Sequence, residues 1–77
     1  MHTLDEIMKI LAEVKPGIEV EPDTELVRTG ILDSVDIMSV VMALAEEFDL
    51  EISPLDLKEE NFHTPNAILD LVNRLDD

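Results

Sequence analysis

Apolar residues recur along this chain at spacings of three and four, and the polar residues between them carry the start and stop signals of short helices. Leu4, Ile7, Met8, Leu11 and Val14 form one such face, which predicts an amphipathic first helix. Thr3 with Glu6 three positions on is a capping box that starts it. Lys15-Pro16-Gly17 ends it, because proline cannot continue the hydrogen-bond ladder and glycine accepts a cap conformation. Near the other end, Ile68, Leu71, Val72 and Leu75 repeat at i, i+3, i+4 and i+7, behind Thr64 as N-cap and Pro65 at the first helical position.

The stretch between these helices is less regular. In "IEVEPDTELVRTGILD", Ile18 and Val20 alternate with Glu19 and Glu21, as in a short strand, but no second strand pattern exists to pair with it. The segment therefore reads as a long loop, held to the core by Leu26, Val27, Ile31 and Leu32, and loops of this length in small domains are more often functional than idle. A second helix is expected to start at Asp33 or Ser34, either of which can cap it. Val35, Met38, Val41, Met42, Ala45 and Phe48 fall on one broad apolar stripe, flanked by Ile37, Val40 and Leu44. Such a helix is apolar over more than half its girth: it is central to a bundle, or shows an apolar strip to a partner, or both. Ser53-Pro54 predicts a short helix carrying Leu55 and Leu57, with Phe62 as an anchor in the loop that follows. The sum is an all-α single domain over 1–77, a small four-helix bundle with three longer helices and one short one.

Composition narrows the chemistry. The 77 residues include no cysteine, which excludes disulfides and thiolate metal sites and favours a reducing compartment. Phe48 and Phe62 are the only aromatics, so the core is aliphatic, as suits helices packed on helices. The longest uninterrupted apolar run is Val40–Ala45, far short of the roughly 20 residues that span a bilayer. "MHTLDEIMK" lacks the pattern of a signal peptide. A monomeric cytoplasmic protein without membrane insertion is the expectation. The net charge of −14 disfavours nucleic acid and anionic membranes, which need cationic partners. Between Arg28 and Lys58 lie Asp33, Asp36, Glu46, Glu47, Asp49, Glu51 and Asp56 with no basic residue among them. These seven charges read as uncompensated, and as either a solvated surface or a docking face for basic patches.

Ser34 is the one residue that invites a chemical question. A nucleophilic serine needs a base and a group to orient it; the chain offers only His63, with no glycine-rich turn or oxyanion hole, so hydrolase chemistry is disfavoured. The EF-hand spacing is absent around Asp33 and Asp36. Two readings remain: a helix cap within an acidic interaction module, or a hydroxyl modified by a visiting enzyme that brings its own base and metal. A phosphate ester would suit a helix N-terminus, where free N–H groups and the dipole favour an anion.

The segment "GILDSVDIMSVVMALAEEFDLEI" resembles the acyl carrier protein family, whose hallmark is Asp-Ser-Leu opening the second helix of a four-helix bundle. Here the triplet is Asp33-Ser34-Val35. The resemblance implies that Ser34 accepts a 4′-phosphopantetheine arm from coenzyme A, through a magnesium-dependent holo-acyl-carrier-protein synthase or phosphopantetheinyl transferase. It also implies that the arm carries an acyl or aminoacyl thioester between partner enzymes, and that the chain is not itself an enzyme. "ILDS" and "DLKEENFHTPNAI" are similar to stand-alone D-alanyl carriers of teichoic acid modification, fed by an adenylating ligase, whereas "DIMSVVMALAEEFDLEI" looks more like bacterial fatty-acid biosynthesis carriers. Ser39 and Ala45 stand where those carriers usually bear acidic residues. The implied partner face comprises Asp33, Val35, Asp36, Met38, Met42 and Glu46.

Overall fold

In the computed structural model, which describes residues 2–76, the chain forms α1 (Leu4–Val14), α2 (Ser34–Phe48), a 3₁₀ turn (Pro54–Asp56), α3 (Glu59–Phe62) and α4 (Pro65–Leu75). It is the expected all-α bundle of three longer helices and a short one, with no strand among the described residues. α1 packs on both α2 and α4, and α3 packs on α4.

The signals at the helix ends act as their chemistry requires. Glu6 Oε1 accepts the Thr3 N–H at 2.8 Å, and this bond holds the Glu6 carboxyl below its usual range. Thr64 Oγ1 accepts the Ala67 N–H at 3.1 Å, with Pro65 directly after it. Each satisfies a donor that the helix leaves unpaired. Asp49 closes α2 in a left-handed conformation at φ 54°.

The core is aliphatic apart from Phe62, and includes Ile7, Ile10, Leu11, Leu26, Leu32, Val40, Leu44, Ile68, Leu71 and Val72. Ile10, absent from the predicted face of α1, is buried beside Ile7 and Leu11. Ile18 and Val20 pack against this core from a loop, not from a strand. Leu26 and Leu32 are buried as expected, while Val27 and Ile31 are only half-buried. Phe62 is an anchor, but it is the last residue of α3 and not part of a loop. Leu55 lies in the 3₁₀ turn and Leu57 just after it, and both are exposed.

The structure decides which apolar arc of α2 faces inward, a point the sequence pattern left open. Val40 and Leu44 are buried and Ile37 is packed beside them, so the expected flank is the face turned inward. From the expected stripe, Val41, Ala45 and Phe48 are half-buried, while Val35, Met38 and Met42 are exposed. Helical periodicity alone does not choose between two adjoining apolar arcs; the choice is made by what α1 presents across the interface.

Candidate functional site at the start of the second helix

The path into α2 is fixed by its loop. Leu26 donates its N–H to the His63 carbonyl at 2.7 Å, and Leu32 donates to the Leu26 carbonyl at 2.9 Å. Gly30 turns the chain between them at φ 79°, a conformation that costs a residue with a Cβ about 1–2 kcal/mol. Leu32 is buried, and the next residue caps the helix.

Asp33 is the N-cap. Its Oδ1 accepts the Asp36 N–H at 2.8 Å, and Asp36 Oδ2 returns the bond by accepting the Asp33 N–H at 3.2 Å. Lys15, from the end of α1, places Nζ 2.8 Å from the same Oδ2. The Lys15 ammonium, helped by the Asp33 N–H, holds the Asp36 carboxyl below the usual carboxylate range, and Asp36 in turn raises Lys15. Of the two residues expected to be able to cap the helix, Asp33 does so, and Ser34 is not held as a capping residue. One expectation is corrected: Asp36 is not an uncompensated charge, because a lysine distant in sequence neutralises it.

Ser34 therefore stands at the first helical position, exposed, and no hydrogen bond among the described residues uses its hydroxyl. Beside it opens a pocket of about 570 Å³ whose walls include Val27, Leu32, Ile37, Met38, Leu57 and Phe62. Asp33, Lys58 and Glu59 are its charged members. His63, the single candidate base in the sequence, is half-buried, with Nδ1 2.8 Å from the Glu60 carbonyl, and does not line this pocket. The site holds a free hydroxyl next to a largely apolar recess, and among the described residues no side chain is hydrogen-bonded to that hydroxyl.

Of the expected partner face, Val35, Met38, Met42 and Glu46 follow one another at spacings of three and four, which puts them on one arc of α2. All four are exposed, Val35 at 71% and Met42 at 67%. Asp33 is exposed too, whereas Asp36 turns partly inward to Lys15. Leu55, 80% exposed, and Leu57 add apolar surface from the segment after α2. Sequence reasoning placed these two inside a helix. The available signal was their spacing, since Leu55 and Leu57 lie two positions apart, on either side of Asp56, and lack the three-and-four spacing of a buried face.

The structure thus combines a small helical bundle with an exposed, unbonded hydroxyl at the head of α2. A family model described as "Phosphopantetheine attachment site" matches residues 5–72. The chain belongs to this family of phosphopantetheine-binding carrier proteins, the acyl carrier protein family, and its covalent cofactor is 4′-phosphopantetheine. Carriers of this kind work with a phosphopantetheinyl transferase and with acyl-handling enzymes. The residues fit the cofactor: the hydroxyl is accessible and unbonded, and the adjoining pocket is wide enough and apolar enough to receive a flexible chain. Among the described residues, no helix is long and apolar enough to cross a membrane.

Proposed function

We propose that Ser34 is the attachment residue and that the chain ferries an acyl or aminoacyl thioester between enzymes of the cytoplasm without turning over substrate itself. The observation that carries this reading is the Ser34 hydroxyl, exposed at the first position of α2 and left free because Asp33 performs the capping. A serine that served only as a cap would be bonded to the helix it starts, so the rival reading as a simple acidic interaction module loses its account of this residue.

The base that removes the Ser34 proton, and the metal that helps the transfer, come with the modifying enzyme. Asp33, Val35, Met38, Met42 and Glu46 form the surface it grips, an apolar strip edged by acids that suits an enzyme with a basic rim. Asp36 serves this surface indirectly, by fixing the N-terminus of α2. The same surface would receive the ligase or acyl-transfer enzymes that load and unload the arm. The apolar pocket beside Ser34 supports an apolar acyl cargo over D-alanine, whose ammonium gains nothing from apolar walls.

Mass spectrometry after incubation with coenzyme A, magnesium and a broad-specificity phosphopantetheinyl transferase tests the attachment. The wild type should gain one phosphopantetheine and Ser34→Ala none. An equal gain on both proteins would place the arm elsewhere.

A further inference from the structure

The pocket beside Ser34 is bounded on its far side by the segment that leads into α3, where Lys58 and Glu59 stand next to Leu57. Lys58 is one of only five basic residues in the chain. Lys15 is engaged with Asp36, Arg28 with Glu25, and Arg74 with Asn61 and the Asp70 carbonyl. Lys58, like Lys9 in α1, has no carboxylate partner among the described residues and is exposed, but of the two only Lys58 lines this pocket. Its long side chain is free to move over the pocket mouth.

The electrostatics around Ser34 give that freedom a use. A phosphodiester there would add an anion beside the exposed carboxylate of Asp33, in a chain of net charge −14. The neighbouring ion pair, Lys15 with Asp36, is already closed on itself at 2.8 Å. Lys58 is the one cation that shares the pocket with Ser34. We infer that Lys58 is a positioning residue for the phosphodiester, drawing the arm across the pocket so that it lies along Leu57 and Met38 instead of projecting into solvent. This rests on Ser34 as the attachment residue. The hold is weak by construction. Glu59 on the same wall offsets the lysine's charge, and an exposed ion pair shifts a population by a factor of only about 1.5 to 5. A basic partner can therefore take the arm without a large opposing cost.

The test uses holo-protein without cargo, so that the phosphodiester is the only anion on the arm. Wild type, Lys58→Gln, Lys58→Glu and Lys58→Arg are each checked for the mass gain and compared by ³¹P shift and by NOEs from the arm's geminal methyls to Met38 and Leu57. The expected result is an NOE intensity about 1.5- to 5-fold lower in Lys58→Gln, lower still in Lys58→Glu, and retained in Lys58→Arg. Salt should bring the wild type towards the glutamine variant. Lys58 bears on no buried contact, so these variants should fold alike. Equal ³¹P shifts and NOEs in wild type and Lys58→Gln would overturn the inference while leaving the attachment intact. Absence of the mass gain in the wild type would overturn the attachment reading, and this inference with it.

Discussion

Asp33 and Ser34 divide between them two tasks that either residue type can perform. Asp33 accepts the Asp36 N–H in the first turn of α2, so the neighbouring hydroxyl remains available. Asp36 links this cap to Lys15 at the end of α1, which gives the site a pH dependence of known sign. Asp36 has a lowered pKa in the folded protein, so its contribution is present above the ordinary aspartate value and is lost as pH falls through the lowered one. Lys15 has a raised pKa, so its contribution is present below the ordinary lysine value and is lost as pH rises through the raised one. The stability advantage of wild type over Lys15→Gln should therefore be full at neutral pH and close at both extremes. Urea midpoints across a pH series check this, and a difference that stays constant into strong acid would contradict it.

α2 is the element on which core and surface meet. Its inner arc carries Val40 and Leu44, fully buried, and its outer arc carries Val35, Met38 and Met42. Substitutions four residues or fewer apart should thus behave oppositely. Leu44→Ala is expected to cost about 2–5 kcal/mol, from lost burial and the cavity left behind. Met42→Ala should change stability by no more than about 0.5 kcal/mol while slowing modification by the transferase. Denaturant unfolding and a loading assay separate the two effects. The rotational setting of this helix was the part of the site least legible in the sequence. Caps and proline signals gave α1 and α4 their ends, since those are local; the sequence also placed Ser34 at the head of α2 through its Asp-Ser-aliphatic triplet. Which apolar arc turns inward depends on α1, and the pairing of Lys15 with Asp36 joins residues 21 positions apart. Neither has a local signature. Lys58 escaped notice for the same reason, since only the folded chain brings it to the pocket of Ser34.

Taken whole, the molecule measures about 29 × 23 × 19 Å and carries a net charge of −14. Acids crowded at this density repel one another in the folded state more than in the expanded chain. Added salt should relieve that repulsion, because the screening length shrinks from about 10 Å at 0.1 M to about 3 Å at 1 M. The thermal midpoint is expected to rise with sodium chloride, most steeply at the low end, and calorimetry over a salt series measures it. A midpoint that fell throughout would mean that ion pairs such as Lys15 with Asp36 outweigh the repulsion.

The bond from the Leu26 N–H to the His63 carbonyl also sets how the loop before Ser34 moves. Leu26 is fully buried and belongs to no helix, yet its amide is fastened across the molecule to the junction of α3 and α4. The Asn66 N–H makes a second such link, to the Pro22 carbonyl. In deuterated solvent the Leu26 amide should exchange as slowly as amides in the middle of α1 or α4, through opening of the whole fold and not through fluctuation of a loop. A residue ringed by irregular backbone would then owe its fixed position to a region that opens only when everything does. Ser34 would be presented to each visiting enzyme from a still base, and whatever mobility the carried group has would belong to its tether alone.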